Sequence, residues 1–498
     1  MDKTSVTHPL QIAEVTAGAG FGRIGITFCP GKSGPSLFGG RWCRDLGIDL
    51  DAIRDWGAAT VISLIEDHEF ELLGVPQLGA EVRSRFMQWL HLPIRDVSVP
   101  DAAFEGEWTV AGEALRSQLR HGFDVLVHCR GGLGRAGTIA ARLLVELGID
   151  PSRAIELVRS ARPGAIETSE QERYLHGQRL IPEREPSRAL EAVRDRARGA
   201  LIGLAVGDAI GTTLEFEQRD NYDLLQDMVG GGPFGLRAGE WTDDTAMALA
   251  LADCLNCPSG FSEHALMRRF EDWYMRGSFS CTGTCFDIGI TTAQAINRWK
   301  SFGNPEAGST DPMTAGNGSL MRLAPVAIRY WNDRSKLRDV AARQSKVTHA
   351  APEAVDACVY WADLLADAIE GSTRSRVFSP RDQQFAGKVS NVAKGSWRLK
   401  RRDSIRSGGY VIESLEASLW CSSRSVDFRE AVLAAANLGH DADTTAAITG
   451  QLAGSLFGYS GIPEAYLNKL AWHDVLLDQA DRLFEKSLAS ADRAPELQ

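Results

Sequence analysis

The sequence predicts two domains: an α/β amino-terminal domain on a mainly parallel sheet, followed by a nearly all-α carboxy-terminal domain. Three observations carry this. The chain has 498 residues, and at about 150 residues per domain that is too much for one core. Before residue 181, short β-branched runs alternate with helix-like stretches, the pattern of a parallel sheet with covering helices. After residue 187 the pattern becomes long Ala- and Leu-rich stretches at helical period.

In order along the chain, the apolar runs 59–65 and 123–127 read as strands, and the stretches 109–120, 136–148, 151–161 and 169–180 read as helices. The segment Ile181-Pro-Glu-Arg-Glu-Pro-Ser187 is short and charged and carries two prolines, so it reads as a linker. The expected domains are 1–182 and 188–498, joined by 183–187. Beyond the linker, 243–255, 353–369 and 429–438 read as helices, and no internal repeat is visible.

Composition narrows the class. With 44% hydrophobic and 24% charged residues, the chain is an ordinary globular one, which excludes collagen-like, fully disordered and disulfide-scaffold proteins. No apolar run approaches the roughly 18 residues of a membrane span, and the first 15 residues lack the apolar block of a secretory signal. The expectation is a cytoplasmic protein without a membrane partner. Nine cysteines, thinly spread, are an odd number and not a disulfide framework. Cys254-x-x-Cys257 and Cys281-x-x-x-Cys285 raise a zinc reading, but 23 residues separate the pairs and no histidine pair accompanies them.

The formal charge is -11. Up to residue 182 there are 19 basic against 23 acidic residues, and beyond it 35 against 42, so the two parts carry -4 and -7. That balance disfavours a nucleic-acid partner. The basic run Trp397-Arg-Leu-Lys-Arg-Arg402 stands against it and reads as a solvated loop.

The segment Val125-Leu-Val-His-Cys129-Arg-Gly-Gly-Leu-Gly-Arg135 leaves a strand, passes through a glycine-rich loop and enters a helix. Successive N–H groups of such a loop (Arg130, Gly131, Gly132, Leu133, Gly134), with the helix amino terminus, can converge on one anion. The same positive field favours the thiolate form of Cys129. Arg135 adds a planar fork for two phosphate oxygens. A buried cysteine beside an ordinary turn is the alternative. Cys-x5-Arg with a preceding histidine and three loop glycines resembles the signature of cysteine-dependent protein tyrosine and dual-specificity phosphatases over about residues 20–180. The closest resemblance is to the cyclin-dependent kinase-associated and cell-division-cycle branch. It implies Cys129 as nucleophile and Arg135 as phosphate clamp. Such chemistry needs an acid on a separate loop, and His91-Leu-Pro-Ile-Arg-Asp96 resembles the family's acid loop, with Asp101 as the alternative acid. One departure stands out: Ala136 occupies the place where the family carries Ser or Thr.

In the second domain, Gly199 to Gly211 packs small residues at close spacing, as a tight helix contact needs, and then runs into Glu215. Glu240-Trp-Thr242-Asp243-Asp244-Thr245 and Asn437-Leu-Gly-His440-Asp441-Ala-Asp443-Thr444-Thr445 each precede an apolar helix. Alone, each is readable as helix capping. Together they are oxygen-only clusters suited to hard divalent cations, and two such helix starts could hold two ions.

The order GDAxG, Glu215, TDDT, Gly316-Asn317-Gly318-Ser319, Thr348-His349, Ser407-Gly-Gly409-Tyr410 and DADTT resembles the ADP-ribosylglycohydrolase family over about 190–485. Dinitrogenase reductase-activating glycohydrolase is its best-known bacterial type. The resemblance implies two divalent cations, Mg²⁺ or Mn²⁺, at Thr242, Asp243, Asp244, Asp441, Asp443 and Thr444, with Glu215 on the substrate side as a catalytic residue. It implies that Asp287, Gly316, Asn317, Gly318, Ser319, His349, Gly409 and Tyr410 line an ADP-ribose cleft. His349 is also readable as a core histidine, and His440 as a solvent or outer residue.

The combined expectation is a multi-domain protein: an amino-terminal α/β cysteine-phosphatase fold plus a carboxy-terminal all-α ADP-ribosylglycohydrolase fold. The implied partner is an ADP-ribosylated protein or ADP-ribosyl small molecule, with a phosphorylated substrate that the residues do not identify. In the alternative reading, the first domain recognises phosphate without efficient turnover.

Overall fold

The computed structural model describes residues 2–35 and 40–491. The chain divides into two compact units, Met1–Arg184 and Glu185–Gln498.

The first unit is built on strands β1 (Ala13–Thr16), β2 (Arg23–Phe28), β3 (Ser33–Pro35), β4 (Arg41–Cys43), β5 (Ala58–Ser63), β6 (Gln88–His91) and β7 (Asp124–Cys129). Five form one sheet in the order β1-β2-β7-β5-β6. Its β2, β7, β5 and β6 are parallel, β1 is an antiparallel edge, and β3 and β4 make a separate hairpin. Successive side chains of β7 alternate between faces. Val125 and Val127 pack with the helices Ala102–Arg120, Gly134–Glu146, Pro151–Ala161 and Ser169–His176. Leu126 packs on the other side with Leu50, Ile53, Leu73 and Leu78. The sheet is thus buried on both faces, which is why its strands read as β-branched runs rather than alternating ones.

Two elements differ from expectation. The helix expected over 109–120 begins at Ala102, because Asp101 caps it by accepting from the Phe104 N–H at 2.9 Å. The helix expected to reach 180 stops at His176, with Gly177 at its cap, and the chain then runs back so that the Ile181 N–H reaches Glu146 O.

The second unit is helical, with only isolated bridges among its described residues. Its centre is the antiparallel contact of Leu190–Gly211 with Ala442–Phe457. A Cβ on Gly203 would lie 2.3 Å from Gly450 O, and one on Gly454 would lie 1.9 Å from Gly199 O. Glycine is therefore required for these backbones to touch. This contact carries the Asp208 end of the first helix to the Asp443 end of the second: a Cβ on Gly211 would meet Asp443 Cα at 2.5 Å. No described helix is long and apolar enough to cross a membrane.

Candidate functional site

The first unit presents its cluster at the carboxy end of β7, where ligands of open α/β sheets bind. Gly132 holds φ +70°, and a Cβ there would lie 2.5 Å from Phe28 N. That position turns the loop back over the strand and aims the Gly132 N–H at Cys129 Sγ, 3.2 Å away. Arg130 and Gly131 are exposed, Leu133 is half-buried, and Gly134 opens the helix Gly134–Glu146. Cys129 itself is buried.

Arg135 is also buried and is held by a partner that the sequence did not reveal. Glu69 accepts from Nη1 at 2.6 Å and from Nη2 at 3.0 Å. Burial alone would raise Glu69, but the guanidinium holds it below the usual carboxylate range. Asp96, half exposed, lies 3.0 Å from Arg135 Nη2. The structure thus brings Asp96 to the cradle, whereas Asp101 is occupied as a helix cap. Ala136 is fully buried, and the nearby Thr138 donates its hydroxyl to Gly134 O at 2.8 Å. Two cations from distant segments touch the outer carbonyls of the loop: Lys32 Nζ donates to Arg130 O at 3.2 Å, and Arg162 Nε to Gly132 O at 3.2 Å.

His128, beside Cys129, is fully buried, with Nε2 2.6 Å from Ser63 Oγ. Burial pushes it down to about 3. The unfolded state takes a proton near 6.5 that the folded state refuses until about 3, so stability falls as pH drops below about 6.5. Unfolding at pH 5 is expected to take up close to one proton fewer in His128→Gln than in the wild type, as measured by calorimetry in buffers of different ionisation enthalpy. Equal uptake would show that His128 is charged in the fold.

In the second unit, carboxylates from separate segments meet at the end of the central helix pair. Oxygens of Asp208, Asp244 and Asp443 lie within 4.8 Å of one another, as do those of Glu215, Asp441 and Asp443. The Asp243–Leu255 and Ala442–Phe457 helices both start here. Asp208, which sequence reasoning passed over, accepts from the N–H and hydroxyl of Thr242 and of Thr245 at 2.6–3.0 Å. Its oxygens are thereby spent on anchoring the TDDT turn. The Thr242 hydroxyl also approaches Asp443 Oδ2 at 3.1 Å, and the Thr444 hydroxyl donates to Asp244 Oδ2 at 3.4 Å. Glu215 Oε2 accepts the N–H groups of Ala442 and Asp443 at 2.8 and 3.3 Å.

Backbone bonds Phe216 N–H to His440 O and His440 N–H to Glu217 O clamp the two loops together. Phe216, Asp287 and His440 all hold positive φ, near +60°. Such backbone costs about 1–3 kcal/mol per residue and gathers at functional sites.

Burial, then repulsion from Asp443, pushes Asp208 and Asp441 up to about 7 and Asp287 up to about 11. The same causes drive Glu215 far up, and burial with its carboxylate neighbours raises Asp243 and Asp244. Asp244 Oδ1 is buried without a hydrogen-bond partner. Crowded carboxylates, an orphaned buried oxygen and oxygen-only donors together fit hard divalent cations.

The Gly316–Ser319 loop is tied to this cluster through Asn317, whose Nδ2 donates to Asp441 Oδ2 at 2.5 Å and to Ser414 Oγ at 2.8 Å. Its glycines lie on the His349 ring: a Cβ on Gly318 would meet Cε1 at 2.7 Å, and one on Gly316 would meet Nε2 at 3.3 Å. His349 is buried, paired through Nδ1 with Thr348 Oγ1, and pushed down to about 3 by burial. Gly409 O accepts from Asn317 N–H, and Tyr410 Oη donates to Glu353. Ser319 is fully buried, with its hydroxyl 2.8 Å from that of Ser345. It fastens the loop from behind.

Comparison with known proteins covers both units. Residues 43–175 match the model described as Swiss Army Knife protein, DSP-PTPase phosphatase domain. Over 307 residues the chain is 45% identical to ADP-ribosylarginine hydrolase Tri1 of Pseudomonas putida, covering 62% of this chain and 81% of that one. It is 30% identical over 291 residues to the ADP-ribosyl-[dinitrogen reductase] glycohydrolase of Rhodospirillum rubrum, covering 56% and 91%. A solved ADP-ribosylglycohydrolase-related protein complex superposes with a TM-score of 0.53 at 36% identity, covering 59% of this chain and 99% of that chain. Residues 189–492, which contain the whole carboxylate cluster and the Gly316–Ser319 loop, match the ADP-ribosylglycohydrolase model, so the chain belongs to that family.

Proposed function

We propose that the carboxy-terminal domain (188–498) hydrolyses the bond between ADP-ribose and arginine on a modified protein or small molecule in the cytoplasm, using two divalent cations, Mg²⁺ or Mn²⁺. The observation that carries this reading is the convergence of Glu215, Asp244, Asp441 and Asp443 on one buried cluster. The similarity to an ADP-ribosylarginine hydrolase supports the arginine linkage. Thr242, Asp243, Asp244, Asp441, Asp443 and Thr444 would hold the ions. Cations bound there would supply Lewis-acid chemistry, polarising a water and orienting the ribose hydroxyls. The chain supplies the rest. Glu215, fixed by the N–H groups of Ala442 and Asp443, would face the reacting carbon and, ionised once cations balance the crowded carboxylates, would oppose the positive charge that develops there. Asn317 joins the ADP-ribose loop to Asp441, so binding of the nucleotide and alignment of the metal ligands are coupled. Asp287, Gly316, Gly318, His349, Gly409 and Tyr410 line the cleft.

The amino-terminal domain (1–182), joined by 183–187, is read as a cysteine phosphatase. Cys129 Sγ attacks phosphorus, the P–O ester bond breaks, and Asp96 gives its proton to the leaving oxygen; water then cleaves the S–P bond and releases phosphate. Glu69 occupies the Nη1 and Nη2 hydrogens on one side of Arg135. The remaining Nε/Nη2 edge serves the phosphoryl oxygens, with Asp96 leaving Nη2 as phosphate arrives. Ala136 favours the second reading, in which this domain captures phosphate and turns over slowly.

Iodoacetate is expected to alkylate Cys129 faster than the other eight cysteines, and phosphate or vanadate to protect it by filling the cradle. Peptide mapping by mass spectrometry reads this directly. An unmodified Cys129 beside modified neighbours would remove the nucleophile assignment. The hydrolase is tested by ADP-ribose release from arginine-linked substrate with and without divalent cation.

A further inference from the structure

The rim of the Cys129 cradle carries more positive charge than one phosphate needs. Arg135, the cation inside the cradle, is already balanced by Glu69 and Asp96. Three further cations gather around the same four-residue loop from different parts of the chain. Arg130 projects from the loop and is exposed. Lys32, from the turn between β2 and β3, reaches Arg130 O; Arg162, from the end of the Pro151–Ala161 helix, reaches Gly132 O. Lys32 is fixed by more than its hydrogen bond. Its Nζ lies 4.4 Å from the centre of the Phe28 ring and 4.8 Å from that of Trp42, both close enough for cation–π attraction.

Among the described residues none of the three forms an ion pair within 4.0 Å of a carboxylate, although the charge of Arg130 is felt at Glu69. Lys32 and Arg162 are half-buried without a carboxylate ion pair, which is costly unless an anion completes them, and the exposed Arg130 adds its charge beside them. A single phosphoryl group is served by the loop N–H groups and Arg135. The surplus suits a second anionic group a few ångströms away.

Resting on the phosphatase reading above, we propose that this cradle selects phosphomonoesters that carry a second phosphate or a pyrophosphate, and that Lys32, Arg130 and Arg162 are the residues that select them. The three cations would hold the second group at the rim while Cys129 and Arg135 hold the first.

Inorganic anions test this without the natural substrate and without turnover. The full chain is treated with iodoacetamide, a neutral reagent, in EDTA at fixed ionic strength and pH. Alkylation of Cys129 is followed by mass spectrometry against rising orthophosphate, pyrophosphate or tripolyphosphate. Pyrophosphate and tripolyphosphate are expected to half-protect Cys129 at a concentration at least tenfold below that of orthophosphate. In Lys32→Met and Arg162→Met this ratio should fall several-fold, and in the double variant to within about twofold of unity. Because Lys32 and Arg162 also touch the loop backbone, Arg130→Gln, which changes only an exposed side chain, must lower the ratio as well. If orthophosphate protects Cys129 and pyrophosphate protects it no better, or if all variants keep the wild-type ratio, the selection is wrong and the phosphatase reading stands. If no anion protects, both fall.

Discussion

Asp443→Asn is expected to abolish ADP-ribose release while leaving the fold intact. Asp443 contributes to both clusters, with Asp208 and Asp244 on one side and with Glu215 and Asp441 on the other. Removing its charge would therefore weaken the hold on both of the proposed ions, whereas an asparagine keeps the shape at the start of the Ala442–Phe457 helix. Loss of a residue that merely supports a ligand costs 10–100-fold in metal affinity or activity, and a residue shared by two ions should cost more. Asp244→Asn should behave alike, since its buried Oδ1 has no other partner. The measurement is ADP-ribose release at saturating Mg²⁺ or Mn²⁺, beside a thermal melt of the metal-free protein. Full activity of either variant, above all in EDTA, would overturn the metal assignment.

The second large effect concerns the missing hydroxyl after Arg135. In the phosphatases that this unit resembles, that hydroxyl stabilises the sulfur as it leaves the phosphocysteine. Ala136 cannot do so, and Thr138 is committed to Gly134 O. What reaches the sulfur is the N–H of Gly132. Losing one hydrogen bond to a charged group costs about 1.5–3 kcal/mol, which slows the second step about 10- to 150-fold. An aryl phosphate should then give a burst of phenol followed by a slow steady state, because formation of the phosphocysteine still has Arg135 and Asp96. Ala136→Ser should raise the steady rate by about that factor and leave the burst nearly unchanged. Progress curves without a burst, and a serine variant no faster at saturation, would show that another group serves the sulfur.

Much of this was legible where the backbone itself makes the site. The strand, glycine loop and helix around Cys129 are contiguous in sequence, and the glycines of Gly199–Gly211 announce a close helix contact whatever lies opposite. The TDDT and DADTT segments could be paired because each opens a long apolar helix. What stayed hidden depends on chain-distant partners. Glu69 sits on a seven-residue helix with ordinary amphipathic spacing, and nothing local says that it grips Arg135. Asp208 reads as one polar residue among helix-packing glycines until its bonds to Thr242 and Thr245 are seen. Ser319 shares a loop with Asn317, which reaches the carboxylate cluster, yet its own hydroxyl turns inward to Ser345. Asp101 and Asp96 are alike as residue types, and only the start of the following helix separates the cap from the acid candidate.

The central claim is that one buried carboxylate cluster removes ADP-ribose from arginine with the help of divalent cations. The most direct measurement incubates the full chain with a protein ADP-ribosylated on arginine, and in parallel with one ADP-ribosylated on serine, with Mg²⁺, with Mn²⁺ and with EDTA, and follows free ADP-ribose by chromatography. Release from the arginine-linked protein that requires a divalent cation and vanishes in Asp443→Asn is the predicted result. No release from it under any condition, or undiminished release in EDTA, would contradict the account.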